Sequence, residues 1–392
     1  MNASAYLILT ACLSGLLRAE LPPGHESLAK KVASHHAALI FATYSDALTG
    51  ARQLQSAVRS FLAAPSAAGL TAARAAWSAA RQPYLYTEAF RYYAGPIDDA
   101  DGPEPLLNSW PLDEAIIDVI PDSPVTPIIA DEKRYPNLTG EVIESLNQQE
   151  GEKGITCGYH AVEFLLWGQD LSATGPGDRP WTDYTTAPFA ARRGQYLQAC
   201  CALIISHLEE LAAEWAPGKL GNFRAVFEED YAGSILDRIF YGLVFLTGTE
   251  LAGERLQVAW DTREQEDEHS CFSDTTQLDH VHDAEGVLHV WTGEYTRPGG
   301  TVMQGPGLRA LAMELQPDRT KKLDSLIAGM IAAARAIPAP FDQAIAGEDT
   351  SPGRVAVLHF MTLLGETSTA LRELARAMGT EIPAEAPDEI EG

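Results

Sequence analysis

A histidine and a glutamate interrupt one of the most apolar runs of the chain, which extends from Gly158 to Asp170. If this run is helical, His160 and Glu163 share a face, where an imidazole and a carboxylate can bind one cation together. Zinc and iron usually take at least three protein ligands, so this pair does not complete a site. The sequence predicts a metal pair whose other ligands lie elsewhere; the alternative is a histidine and a glutamate that are hydrogen-bonded inside a helix bundle.

A polar and aromatic stripe follows one face of a helix that we predict from about Thr71 to Tyr92. Its members recur at helical spacing and are Trp77, Arg81, Tyr84, Glu88 and Arg91. Spacing alone is equally typical of a solvated face, but aromatic rings among the charges favour a packed or ligand-facing surface. One hypothesis is therefore a face that holds a small anion.

More carboxylates follow in the second half of the chain. A helix predicted from about Ser234 to Arg263 has an apolar stripe, and steps of four from that stripe reach Glu250 and Glu254. Buried carboxylates need a cation, a metal or a pocket opening, and Arg255 can partner a residue elsewhere. The alternative is a helix end that emerges into solvent.

An acidic loop comes directly after this helix. It contains Glu266, His269 and Asp274, a set of side chains that suits hard or borderline cations. Acidic loops are usually solvated surface, so this pattern is weak by itself. The chain has no serine elbow, P-loop, dinucleotide fingerprint or HExxH motif, and its catalytic residues stay unknown.

The composition is that of an acidic globular protein. Asp and Glu outnumber Lys and Arg by 54 to 28, and 46% of the residues are hydrophobic, which is ample for a buried core. The charge argues against a nucleic-acid partner and suits a protein that attracts cations. Residues 380–392 are rich in Pro and Glu and predict a solvated acidic tail.

The first residues predict export. Residues 1–19 have an apolar segment too short for a comfortable membrane span, followed by a small-residue cleavage site, which indicates a signal peptide. The alternative is a buried first helix, and a lipid anchor at Cys12 is a weaker interpretation. No later stretch is long and apolar enough to span a bilayer, so we expect a mature chain in the periplasm or cell envelope.

The remaining cysteines permit disulfides without requiring them. They are Cys157, Cys200, Cys201 and Cys271. A bond between Cys157 and Cys271 would tie two candidate site segments together, and the alternative is free buried thiols.

Long segments of the chain are rich in helix-forming residues, and few segments show the alternating β-branched pattern of strands. The sequence therefore predicts an all-α fold. The first helices are expected at about residues 25–47 and 51–63. Gly and Pro residues after position 173 predict a domain boundary. The predicted domains are residues 25–173, which carry the His160 motif, and residues 186–379.

The motif blocks resemble the imelysin-like family, whose members are described as insulin-cleaving proteases and are tied to bacterial iron regulation. Gly158, His160 and Glu163 match the family signature GxHxxE. The blocks at residues 88–98, 250–255 and 265–274 are also similar, so the resemblance covers essentially the mature chain.

The resemblance implies two helical-bundle domains with these blocks gathered between them. It also implies a role in bacterial iron uptake or iron-responsive envelope physiology, with envelope iron-transport proteins as partners and iron favoured over zinc as the metal. Metal-dependent endopeptidase activity is an alternative, although HxxE alone is an incomplete catalytic set, since Glu163 cannot readily be both ligand and base. A third alternative is a module that binds a ligand other than a metal.

Overall fold

The computed structural model describes Leu21, residues 24–172, residues 174–380 and Ile382. The predicted signal peptide with Cys12, and all of the predicted acidic tail except Thr380 and Ile382, lie outside the described residues. The described chain is all-helical apart from one short hairpin, which confirms the predicted fold class.

Long helices supply most of the fold. The α-helices are α1 (Glu26–Ala63), α2 (Ala67–Leu85), α3 (Glu104–Leu107), α4 (Glu114–Ile117), α5 (Gly140–Leu146), α6 (Gly158–Trp167), α7 (Ala190–Glu214), α8 (Phe223–Glu229), α9 (Ala232–Phe245), α10 (Val258–Thr262), α11 (Thr276–Thr292), α12 (Leu308–Leu315), α13 (Pro317–Ala336), α14 (Phe341–Ile345) and α15 (Pro352–Ala377). Single 3₁₀ turns occupy Tyr86–Phe90, Trp181–Tyr184 and Gln265–Asp267, and a π-helical segment occupies Leu246–Gln257. The strands β1 (Glu294–Thr296) and β2 (Val302–Gln304) pair antiparallel, with Tyr295 opposite Met303.

The first helix runs unbroken through Gly50, so the prediction of two helices in this region is wrong. A Cβ at Gly50 would lie 3.0 Å from the Cα of Ala80 in α2. The missing side chain therefore allows α1 and α2 to approach closely, and this glycine serves helix packing instead of helix termination.

Helix α6, which carries the GxHxxE motif, is buried along its whole length. It begins at Gly158 with a φ of +89°, and a Cβ there would lie 2.7 Å from the carbonyl oxygen of Leu107. Only glycine combines this backbone conformation with so close an approach. The first glycine of the motif is thus a structural requirement for the position of α6.

Helix packing surrounds α6 and joins both halves of the chain. Helix α1 packs against α2 and α7, and α6 contacts both α2 and α7. Helix α11 packs against α2, α13 and the 3₁₀ turn Tyr86–Phe90, while α15 packs against α9, α13 and the π-helical segment. The boundary near residues 174–185 stays a prediction. The structure adds that α7, from the second predicted domain, packs against α1 and α6 of the first.

The described cysteines are all buried, free thiols, which corresponds to the alternative to a disulfide framework. In particular, Cys157 and Cys271 are not bonded to each other. No helix within the described ranges is long and apolar enough to cross a membrane.

We expect replacement of His280 by phenylalanine to flatten the acid dependence of stability. His280 is fully buried beside Phe341 and Phe360, and burial lowers its pKa from 6.5 to about 3. Because the unfolded chain binds a proton below pH 6.5 while folded His280 does not, its contribution is complete above pH 6.5 and is lost as the pH falls toward 3. This loss amounts to about 2 kcal/mol between pH 6.5 and pH 5.

Urea unfolding at pH 7 and at pH 5 measures the effect of this substitution. The other buried histidines are present in both proteins, so their contributions cancel when the two pH dependences are subtracted. The same pH dependence in the variant and in the parent protein would contradict the prediction.

Candidate functional site

His160 and Glu163 project from α6 into an enclosed polar network. The Nδ1 atom of His160 lies 2.9 Å from Oε2 of Glu163, and both side chains are 0% exposed. The other oxygen of Glu163 accepts hydrogen bonds from the backbone amide of Ser273 at 2.9 Å and from its hydroxyl at 2.7 Å. Both carboxylate oxygens of Glu163 therefore have protein partners.

The second nitrogen of His160 faces an arginine. Nη2 of Arg81 lies 3.3 Å from Nε2 of His160, 3.2 Å from Nδ1 of His269 and 2.9 Å from Oδ2 of Asp279. We call this arrangement the Arg81 centre. A guanidinium only donates hydrogen bonds, so Nε2 of His160 is an acceptor and the imidazole proton resides on Nδ1, which donates to Glu163.

Burial and charge set the protonation of these groups. Burial, reinforced by Arg81, lowers the pKa of His160 well below its ordinary value, and burial with Arg255 lowers the pKa of His269 to about 4. Burial raises the pKa of Glu163 to about 8, against the effect of the Ser273 hydroxyl. Burial also acts to raise the pKa of Asp279, but Arg81 outweighs it and lowers that pKa below its ordinary value. Both imidazoles are therefore neutral near pH 7 and offer nitrogen lone pairs.

A second arginine organises a neighbouring set of carboxylates. Arg255 donates to Glu88 at 2.5 Å, to Glu250 at 2.8 Å and to Asp283 at 3.2 Å. We call these four residues the Arg255 cluster. Asn108 joins the cluster to the Arg81 centre, because its amide donates to Glu88 at 3.2 Å while its carbonyl oxygen accepts from Arg81.

The π-helical segment explains how Glu250 and Arg255 meet. Residues five apart are brought one above the other when backbone hydrogen bonds run from i to i+5. Nε of Arg255 thus lies 2.8 Å from Oε1 of Glu250, whereas Glu254 is exposed and lies outside the cluster. Steps of four, as in an ordinary α-helix, predict that Glu250 and Glu254 share a face, and the π-helical geometry pairs Glu250 with Arg255 instead.

The other predicted residues fall at different distances from this network. Arg91 donates to Glu88 at 3.2 Å and pairs with Glu104 at 3.3 Å. Tyr84 packs its ring on Tyr159 at 4.8 Å between centroids, which makes it a wall of the site and not a polar partner. Arg81 pairs with Asp279, and Arg91 pairs with Glu88 and Glu104, so carboxylates already balance both guanidinium charges; the small-anion hypothesis stays a prediction.

Two residues of the acidic loop lie away from the Arg81 centre. Glu266 is exposed, and its pKa is raised to about 7 by partial burial and by the charge of Glu114. Asp274 is buried next to other carboxylates and makes no contact with Arg81. His269, from the same loop, is the member that reaches the network.

Several polar residues of the network were not singled out from the sequence. They include Asn108, Ser270, Ser273, Asp279 and Asp283, and the Ser270 hydroxyl donates to Oδ2 of Asp279 at 2.7 Å. A signal was present for two of them, because Asp279 and Asp283 are one turn apart on α11 and both are buried. Two carboxylates at this spacing on a core-facing helix stripe predict cationic partners.

The donor set of the Arg81 centre can be compared with the needs of a metal. Two imidazole nitrogens and one carboxylate are ligands that suit Fe(II) or Zn(II). Their distances to Nη2 of Arg81, 2.9 to 3.3 Å, exceed metal–ligand bonds of about 2.0–2.2 Å. The donor types therefore suit a metal, but in this conformation a guanidinium holds the position that the metal would take. Among the described residues, Glu268, Asp274 and Asp342 alone form a group of three such side chains with ligand atoms within 4.8 Å of one another, so the donors of the Arg81 centre would have to move closer together to bind a metal.

Sequence comparison defines the class of protein. The model of the imelysin family, peptidase M75, matches residues 40–375, and the chain belongs to this family.

Individual relatives are named for iron regulation. The chain is 26% identical over 346 residues to iron-regulated protein A of Synechococcus elongatus, covering 85% of this chain and 82% of the relative. Its fold is similar to a crystal structure from Parabacteroides distasonis described as an iron-regulated protein A precursor. That similarity has a TM-score of 0.70 at 20% identity and covers 92% of this chain and 97% of the other.

Proposed function

We propose that this imelysin-family protein binds iron at the Arg81 centre and acts in bacterial iron uptake or iron-responsive physiology at the cell envelope. The observation that carries the proposal is the convergence of His160, His269 and Asp279 on one point inside the protein. Relatives named iron-regulated protein A support the choice of iron. Export by the N-terminal segment and contact with envelope iron-transport proteins belong to the same proposal.

Glu163 has an orienting role in this proposal. Its bond to Nδ1 of His160 leaves Nε2 with the lone pair directed at the Arg81 centre. Carboxylates that hold the far nitrogen of a ligating histidine are a common feature of metal sites, and Ser273 in turn fixes Glu163. The GxHxxE motif thus supplies one ligand and its support.

Arg81 regulates access to the donors. A guanidinium and a metal cation repel each other and cannot share one set of lone pairs. Iron binding therefore requires Arg81 to leave Asp279, with which it pairs at 2.9 Å. Metal affinity then depends on the free energy of releasing that buried pair.

The peptidase alternative finds less support. A metallopeptidase needs a metal-bound water that a peptide can reach and a carboxylate free to act as base. His160 and Glu163 are enclosed, and both oxygens of Glu163 are already hydrogen-bonded.

Anaerobic titration calorimetry of the metal-free protein with Fe(II), and separately with Zn(II), tests the proposal. We expect His160→Ala, His269→Ala and Asp279→Asn each to weaken Fe(II) binding by about tenfold or more, because each removes a ligand. Glu163→Gln should also weaken Fe(II) binding, within the range of about 10- to 100-fold that is usual for supporting residues.

Glu254→Gln is the matched control, because it removes an exposed carboxylate close to the network without touching it. Circular dichroism confirms that each variant is folded. Fe(II) affinity that is unchanged in all three ligand variants would refute the site.

A further inference from the structure

Three carboxylates, two of them from the acidic loop, meet at one place in the fold. One oxygen each from Glu268, Asp274 and Asp342 lies within 4.8 Å of the other two. We call them the carboxylate trio. They come from separate parts of the chain, namely the loop before α11 and helix α14, so only the tertiary fold brings them together.

The central member of the trio is buried without a counterion. Glu268 is 0% exposed, and neither of its oxygens accepts a hydrogen bond of normal geometry from the described residues. Burial raises its pKa well above the ordinary value, the nearby Thr276 hydroxyl opposes this, and Asp342 and Asp274 add to it. An enclosed carboxylate directed at two others is costly unless a cation joins them.

The surroundings of the trio are acidic as well. Asp170 faces Asp274, and burial followed by the charges of Asp170 and Asp342 raises the pKa of Asp274 to about 7. Within the part of the chain that the structure describes, no lysine, arginine or histidine forms an ion pair with these four carboxylates. The Arg255 cluster, by contrast, balances its carboxylates with arginines.

We propose that the carboxylate trio binds a hard divalent cation, with calcium as the preferred ion. Oxygen atoms up to 4.8 Å apart can be bridged by an ion with bonds of about 2.4 Å, which is the calcium–oxygen distance. Magnesium keeps several waters and is usually bound through one or two carboxylates, whereas calcium accepts a larger number of carboxylate ligands, so three protein carboxylates favour calcium. The all-oxygen donor set also differs from the imidazole-containing Arg81 centre, and the two sites share no ligand.

The site has a route to solvent. Asp170, which faces Asp274, also lines a cavity of about 580 Å³ together with Gly168 and Leu171. Leu171 is 84% exposed, so this cavity opens to the surface. Asp170 thus connects the trio to the wall of this cavity, and Asp342 of the trio is itself only half-buried.

Cation binding at the trio would fix the acidic loop. Glu268 and Asp274 flank His269 and Ser273, which contact Arg81 and Glu163 respectively. A calcium ion would join both ends of this loop to α14 through Asp342. The structural consequence is a loop held in the position that completes the polar network.

Calcium titration of chelator-treated protein, followed by thermal denaturation with and without calcium, tests the assignment. We expect the parent protein to bind one calcium ion and to unfold at higher temperature in its presence. Asp274→Asn and Asp342→Asn should each weaken calcium binding by about tenfold or more. Without calcium, both variants should unfold at the same temperature as the parent or higher, because each removes one of several repelling charges.

Two controls separate this site from the rest of the molecule. Glu266→Gln removes an exposed carboxylate of the same loop, and His160→Ala removes a ligand of the proposed iron site; both should keep calcium affinity. Absence of calcium binding in the parent protein, or equal binding in the Asn variants, would overturn the assignment. If the protein binds magnesium more tightly than calcium, the choice of ion is overturned. If the Asn variants bind calcium normally but are less stable than the parent protein without it, the trio has a structural role and is not a cation site.

Discussion

Replacing Arg255 with leucine is expected to destabilise the protein by about 3–5 kcal/mol. The guanidinium donates to three carboxylates, of which Glu88 and Asp283 are 1% and 0% exposed at their side chains. Glu250 is 20% exposed, and Arg91 is a second partner of Glu88 and Glu250, so the largest part of the cost falls on the enclosed pair Glu88 and Asp283. Leucine fills part of the volume but leaves these charges without their shared partner. The cost of uncompensated buried charge then exceeds any gain from the added apolar surface.

Urea unfolding followed by far-UV circular dichroism measures this effect. Glu254→Ala is the matched control, because Glu254 precedes Arg255 on the same π-helical segment but has an exposed side chain. We expect its free energy of unfolding to change by no more than about 0.5 kcal/mol. Arg255→Lys should fall between the two, because an ammonium keeps the charge but cannot reproduce the geometry of the guanidinium. If the leucine and Glu254→Ala variants unfold at the same urea concentration, the Arg255 cluster does not stabilise the fold as we infer.

The helical fold could be predicted because its signal is local. Segments of good helix formers with regular stripes predicted helices at about residues 71–92 and 234–263. The structure forms the first as α2 with the 3₁₀ turn Tyr86–Phe90, and the second as α9, the π-helical segment and α10. The break predicted near Gly50 was wrong because a glycine at a close helix contact and a glycine at a helix end look alike in sequence. Only the neighbouring helix distinguishes them.

The candidate site could be predicted in part, for a different reason. The polar and aromatic stripe marked Arg81 and Glu88, and the motif blocks marked Arg255 and His269. The structure joins these residues to His160 through direct contacts or through Asn108. The π-helical segment was not predictable in this way. It changes which side chains share a face, and a search for residues at steps of four does not detect it.

Charge balance was the least predictable property of the site. The sequence shows carboxylates and arginines in separate blocks, and their pairing depends on distances between helices. Asp279 sits on a helix with ordinary amphipathic texture, and only the fold directs it at Arg81. The position of Arg81 between His160, His269 and Asp279 could therefore not be inferred from sequence spacing.

Arg81→Gln is expected to strengthen Fe(II) binding by about 100-fold. In the parent protein, iron must displace the guanidinium from its buried pair with Asp279, at a cost of about 3 kcal/mol or more. Glutamine removes both this cost and the repulsion between two cations, and about 3 kcal/mol corresponds to a factor of about 100 in affinity. The same substitution should destabilise the metal-free protein, since it leaves Asp279 buried without a counter-charge, and Fe(II) should restore that stability.

Anaerobic Fe(II) titration, repeated with thermal denaturation, distinguishes this mechanism from a general effect of charge. Arg91→Gln removes a positive charge from the same network but touches neither His160 nor Asp279, so its Fe(II) affinity should stay near that of the parent protein. Arg81→Lys keeps the charge and should gain little affinity. The gain should disappear when Arg81→Gln is combined with His160→Ala, because the vacated position then lacks a ligand. Equal gains for Arg81→Gln and Arg91→Gln would show that net charge, and not release of the donor set, controls metal binding.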